Sequence, residues 1–242
     1  MTAMGTMEYV RLDSSNAEYP VRLRGILDGE PVFAIGNLGL AQGSAVGICG
    51  SRDASPGALR WSYEFGRQVA YKGLVVVSGY AKGVDRQAHK GALEAGGSTI
   101  AVLPEGIRRF RVRKDLGSLV RLDRNFLAIS QFDPDASWQT WRAMARNKVI
   151  VGLSNSLFVI EARERGGTID AAKESALQGK PVYVLDYGNE LPGREGNRLL
   201  LTLSGIPVRN ADDLRKAIEA SRSEPPKVAE QLVMRLREQA DG

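Results

Sequence analysis

Six short, almost continuously apolar runs, separated by stretches with helical spacing, dominate the chain between residues 45 and about 186. AVGIC (45–49), LVVVS (74–78), STIAVL (98–103), FLAIS (126–130), SLFVIE (156–161) and PVYVL (181–185) read as strands. A strand with no polar alternation is one covered on both faces, as in a parallel sheet between helices. The intervening stretches supply those helices. The first opens at Ser55-Pro56, where serine caps and proline suits the first helical position. It turns Leu59, Tyr63, Gly66, Val69 and Ala70 to one side. The second places Val84, Ala88, Gly91, Ala92 and Ala95 at helical spacing and stops at Gly96-Gly97. A third, from about Ser137 to Gly152, is expected to bury Trp138, Trp141, Ala145 and Val149. A fourth follows Gly166-Gly167 with Ile169, Ala172 and Ala176 inward. The alternation predicts an α/β fold with a doubly wound, mostly parallel sheet and helices on both faces.

Three regions follow. Residues 1–44 form a lead-in packing on the core, in which PVFAIGN (31–37) reads as a short strand. Residues 45–206 form the α/β domain, and 207–242 a helical tail. In that tail NADDLRKAIEASR (210–222) reads as a helix. Pro225-Pro226 ends it, and KVAEQLVMRLREQ follows as a short amphipathic helix. No apolar run reaches the length of a membrane span, and the N-terminus lacks a secretory pattern. The one cysteine, Cys49, sits in an apolar strand as core filler; a chain without disulfides suits the reducing cytoplasm.

In such a sheet the loops leaving the strands' carboxyl ends share one edge, and ligands bind there. Here those loops read GSRDAS, SGYAKGVD, PEG and EARERGGT. Three bring glycine to a helix start, where free amides and the helix dipole favour an anion. Arg52, Lys82, Arg163 and Arg165 lie on the same edge and can add charge-assisted bonds. Neither G-x-G-x-x-G nor G-x-x-x-x-G-K-[ST] occurs, which disfavours an ordinary dinucleotide site or P-loop. The formal charge of +5 permits a polyanionic partner. The run RRFRVRKDLGSLVRLDR (108–124), seven cations against Asp115 and Asp123, is either a solvated face or an extension of an anion track.

The stretches GSRDAS, SGYAKGVDRQAHKGALEAGGSTIAVL and RNKVIVGLSNSLFVIEARERGGTIDAAKESALQGKPVYVL, with GN ahead of Leu199–Leu201, resemble the DNA-processing protein A (DprA/Smf) family. YPVRLRGILDGEPVFAIGN resembles its lead-in, so the likeness spans roughly residues 17 to 203. It implies an extended Rossmann-like fold, single-stranded DNA binding without catalysis, homodimerisation, and loading of a RecA-type recombinase in natural transformation. It implies no cofactor and no metal. By matching motif, Arg52 and the stretch Arg146, Asn147 and Lys148 contact the DNA backbone. Gly50, Ser51, Ser55, Ser78, Gly79, Lys82 and Gly83 line the pocket, and Gly166, Gly167 and Thr168 supply the last phosphate turn.

The chain departs from the family in places. Tyr80 and Val84 replace leucine and isoleucine of SGLAxGID, so Tyr80 either stacks on a base or packs. The family's Tyr-Pro after the third strand gives way to RRFRVRK, its Ser-Glu becomes Ser130-Gln131, and its Ser-Gly becomes Gly166-Gly167. Neither a winged helix after residue 206 nor a helical domain before residue 17 is expected. Asp85 in a first helical turn reads as a carboxylate favoured by the dipole. His89, one turn on, invites an Asp–His pair, but no nucleophile elbow accompanies it, so a structural hydrogen bond is expected. Glu161 positions a ribose hydroxyl or pairs with an arginine. A competing function is a nucleotide-binding sensor or a phosphoribohydrolase-like enzyme; RGGTIDAAKE keeps Thr168 and Glu174 of that group's signature but not its spacing.

Overall fold

The computed structural model describes residues 7–188 and 193–223. Its sheet holds nine strands: β1 (Val10–Leu12), β2 (Val32–Gly36), β3 (Ala45–Cys49), β4 (Val75–Ser78), β5 (Ser98–Val102), β6 (Phe126–Ser130), β7 (Leu157–Val159), β8 (Val182–Leu185) and β9 (Ile206–Val208). Their order is β1-β2-β6-β5-β4-β3-β7-β8-β9. Every pairing from β6 across to β9 is parallel, while β2 runs antiparallel to both β6 and β1. The sheet is therefore α/β, Rossmann-like and mostly parallel, with helices on both faces, as the alternation predicts. The chain winds outward from β3 to β6, then returns to the other side of β3 with β7. The crevice where the winding reverses lies between β3 and β7, the usual place for a ligand in such sheets.

Alternate residues of each strand feed opposite layers. Helices α4 (Asn147–Leu153), α5 (Gly167–Leu177) and α6 (Glu195–Thr202) cover one face. There Val149, Ile169 and Leu200 pack on Cys49, Val77, Val159 and Val184. Helices α1 (Pro56–Tyr71), α2 (Val84–Glu94) and α7 (Ala211–Ala220) cover the other. Phe65, Val69, Ala88 and Ile218 meet Ile48, Val76 and Phe158 there. The rings of Phe65 and Phe158 lie 4.8 Å apart. Burying a side chain of that size contributes about 1.5–3 kcal/mol. Ser55 caps α1 by accepting from the Ala58 amide at 3.2 Å, with Pro56 at the first helical position. The lead-in joins the same sheet through β1 and β2, and its Tyr19, Leu23 and Leu27 are buried in the first layer. The amphipathic helix expected at 227–239 lies outside the described residues. No helix among the described residues is long and apolar enough to cross a membrane.

One expected element is corrected. The single helix from about 137 to 152 is two helices, α3 (Thr140–Ala145) and α4, broken at Arg146. No residue of α3 is buried, and Trp138 and Trp141 are 48% and 56% exposed. The side chain of Arg146 turns into the protein at the break, which leaves the preceding turn and its indoles on the surface. Three elements carried no sequence signal: the short strands β1 and β9, and α6.

Candidate functional site

Strands β3, β4, β5 and β7 end along one rim, and two adjoining clefts open there. One, about 440 Å³, lies over the crevice between β3 and β7. It is lined by Gly50, Ser51, Arg52, Asn147, Arg163, Arg165 and the Gly166-Gly167-Thr168 turn, among others. The second, about 470 Å³, lies beside the end of β4. Its lining includes Gly79, Tyr80, Lys82, Arg109, Arg111 and Arg113. Arg52, Ala81, Trp138 and Arg146 line both and form the wall between them. Three distant stretches thus converge on one wall.

The turns are built on one another. The Val84 amide donates to the Ser51 carbonyl at 3.2 Å, pinning the SGYAKG turn to the GSR turn. Gly83, at φ +80°, sits so close beneath that a Cβ there would lie 2.3 Å from the Ser51 carbonyl oxygen. Only glycine accepts both demands. Asn147 fixes the third turn: its Nδ2 donates to the Gly167 carbonyl at 2.9 Å, and its Oδ1 accepts from Arg146 Nη1 at 3.3 Å. Arg52 is exposed and holds its guanidinium 5.6 Å from the Trp138 ring centroid, within cation–π reach. Asp53 pairs with Lys82 rather than Arg52, at 2.6 Å, and this bond holds the Asp53 carboxyl below its usual range.

Arg146 is the unusual cation. It is only 6% exposed, donates to the Gly79 carbonyl at 3.4 Å, and lies 4.0 Å from Asp85 Oδ2. Its Nε has no hydrogen-bond partner among the described residues. Burial pulls the Arg146 pKa down and pushes the Asp85 carboxyl up, although each charge opposes the other's shift. A buried guanidinium with long, incomplete bonds costs desolvation that its partners only partly offset. An incoming anion in either cleft would find it pre-positioned.

The rim is positive on balance. Among the described residues eight cations line the two clefts, with Asp53, Asp85, Glu105 and Glu161. Burial raises Glu105 as well as Asp85. Glu161 is engaged: it accepts from the Ser55 amide at 3.0 Å and the Ser55 hydroxyl at 2.6 Å, and pairs with Arg194 at 3.4 Å. Of the two readings of Glu161, the arginine pairing is the one present.

Of the residues singled out by sequence, Gly50, Ser51, Arg52, Gly79, Lys82, Arg146, Asn147, Gly166, Gly167 and Thr168 line the clefts. Ser55, Ser78, Gly83 and Lys148 are not among the lining residues. Ser55 is taken up by Glu161, as above. Ser78 is wholly buried, and its hydroxyl donates to the Ile48 carbonyl at 2.8 Å, tying β4 to β3 below the rim. Gly83 is a spacer, and Lys148 lies half-buried on α4 with its carbonyl accepting from Gln178.

Tyr80 packs rather than stacks. Its ring is buried against Phe110 and Phe126, and its hydroxyl accepts from the Arg113 amide at 3.0 Å. Arg113 in turn donates to the Tyr80 carbonyl at 2.6 Å, with its guanidinium 4.9 Å from the ring centroid. Tyr80 thereby fastens the basic run, and Arg109, Arg111 and Arg113 of that run reach the second cleft. His89 does not meet Asp85. Its Nδ1 lies 2.6 Å from the Thr99 hydroxyl, which donates to the Val76 carbonyl, so Nδ1 carries the proton. Burial lowers the His89 pKa to about 3 and pushes the Cys49 thiol up, leaving both groups neutral.

The sequence profile of the DNA recombination-mediator protein A family matches residues 11–219. The chain belongs to that family. It is 30% identical over 202 residues to DNA processing protein DprA of Bacillus subtilis strain 168, covering 83% of this chain and 68% of that one. Protein Smf of Escherichia coli K12 is 30% identical over 203 residues, covering 83% and 54%. The chain thus spans 54% to 68% of the length of these relatives. Among solved structures, DprA of Streptococcus pneumoniae superposes with a TM-score of 0.75 at 29% identity, covering 86% of this chain and 74% of that one. DprA of Helicobacter pylori, described for its single-stranded DNA binding mode, gives 0.72 at 23%, covering 88% and 95%, and bears on the fold alone.

Proposed function

We propose that the chain binds single-stranded DNA along the rim without catalysing a reaction. In this reading the protein serves DNA uptake and recombination in the cytoplasm, as a homodimer that assists a RecA-type recombinase. The observation that carries the DNA reading is the convergence of eight cations and the starts of α2 and α5 on two adjoining clefts. Two basins with a common cationic wall suit successive phosphates of one strand better than a single compact nucleotide. Family membership supports the same reading, and the H. pylori relative is described as a single-stranded DNA binder. His89 and Cys49 are buried and neutral, so neither serves the rim as a base or a nucleophile.

Binding of oligo(dT) of increasing length, set beside mononucleotides, tests this directly. Affinity is expected to rise with length and to fall in Arg52→Ala. Saturable mononucleotide binding with no length effect would instead support the nucleotide-sensor reading, and release of free base a phosphoribohydrolase.

A further inference from the structure

We propose that Trp138 and Trp141 form a nucleobase-stacking platform beside the phosphate rim, a role that rests on the single-stranded DNA reading above. Three of the most exposed large apolar side chains of the described residues fall within seven positions: Trp138, Trp141 and Met144, at 48%, 56% and 46%. No residue of α3 is buried, so this helix spends its apolar groups on the surface. Trp138 and Met144 also line the cleft at the β3–β7 crevice, and Trp138 lines both clefts.

The rings are held rather than loose. Arg52 lies 5.6 Å from the Trp138 centroid. Arg142 lies 5.0 Å from that of Trp141, whose edge meets Phe132 at 5.9 Å. The Trp141 indole N–H donates to the Gln139 side chain. A half-exposed ring already backed by a guanidinium is ready to take a flat, electron-rich partner, with little ordering left to do. The cations at each ring choose among apolar partners: they match bases that arrive with phosphates attached. Stacking of this kind tolerates any base, because every base has a π-face.

The experiment compares oligo(dT) with an abasic strand of equal length at one salt concentration. Wild type, Trp138→Ala, Trp138→Phe and Trp141→Ala are tested, with circular dichroism to verify the fold of each. Each alanine variant is expected to lose about 5- to 150-fold in oligo(dT) affinity, with Trp138→Phe retaining most of it. Abasic-strand affinity should be unchanged in Trp141→Ala and should fall far less than oligo(dT) affinity in Trp138→Ala, which also backs Arg52, and tryptophan fluorescence should be quenched by oligo(dT) alone. Unchanged oligo(dT) binding by both alanine variants would overturn the proposal. Equal losses on both strands would also overturn it, reducing Trp138 to a support for Arg52. Self-association abolished by Trp141→Ala, with DNA binding intact, would reassign the patch to a second copy of the chain. If wild type bound neither strand, the DNA reading itself would fall.

Discussion

Replacing Gly79 with alanine adds one methyl group where the structure has least room for it. The new Cβ would lie 1.8 and 2.0 Å from the two Nη atoms of Arg146 and 2.1 Å from its Cζ. The backbone at Gly79 is not in the left-handed region, so the strain comes from this contact. The guanidinium must move by more than 1 Å to reach ordinary contact distance, yet it is buried between the Gly79 carbonyl and Asp85. Overpacking of this kind costs about 1–3 kcal/mol. The entropy that alanine removes from the unfolded chain returns about 0.4–1 kcal/mol. The net loss is about 1.3 kcal/mol at the middle of these ranges and at most about 2.6, or roughly 3–5 °C in Tm at the middle value for a chain of this length. A double-mutant cycle by urea denaturation isolates the contact. In an Arg146→Ala background Gly79→Ala should be neutral or mildly stabilising, and Gly79→Ala should weaken oligo(dT) binding without removing a charge. An equal stability cost in both backgrounds would show that Arg146 does not occupy the space beside Gly79, and the account of the shared wall would fail.

Salt titration of oligo(dT) binding should give a log–log slope of about −3.5 if only Arg52, Arg109, Arg111, Arg163 and Arg165 meet phosphates, and about −5.6 if all eight cleft cations do. Arg52→Ala should flatten the slope by about 0.7, and a slope near zero would contradict phosphate binding at the rim. His89 should remain neutral and protonated at Nδ1 down to about pH 4, as read by NMR of the imidazole. The unfolded chain takes up that proton below about pH 6.5 and the folded one only near pH 3, so stability should be lost as pH falls through this window, by on the order of 5 kcal/mol in full. Urea unfolding of His89→Gln, which lacks that group, should show the pH slope reduced by this share.

Much of the fold was legible because the central strands are apolar on both sides, a pattern that a solvated segment could not sustain. Ser55-Pro56 and Gly96-Gly97 likewise marked helix boundaries by chemistry alone. The edges were not legible: β1 has its first two residues exposed, and β9 is three residues with only Val208 buried. The misplaced indoles show a different limit. Trp138, Trp141, Ala145 and Val149 are spaced 3, 4 and 4 apart, a sound helical stripe, but the stripe crosses the break at Arg146. Only the inward turn of that side chain, a tertiary event, decides which half of the stripe is buried. The GSR and SGYAKG turns were recognisable from their glycines. That Ser78 braces two strands while Ser51 lines a cleft depends on where each strand stops: β4 still includes Ser78, whereas β3 ends at Cys49 and leaves Ser51 in the turn.

Tyr80 has a mechanical consequence. It is a bulky residue at φ +59°, a backbone state that costs about 1–3 kcal/mol and persists only when its surroundings impose it. Those surroundings include Phe110 and the Arg113 amide, which belong to the basic run rather than to the turn itself. The turn and the run are therefore one lever with a single fulcrum: neither can swing without unseating the same phenol.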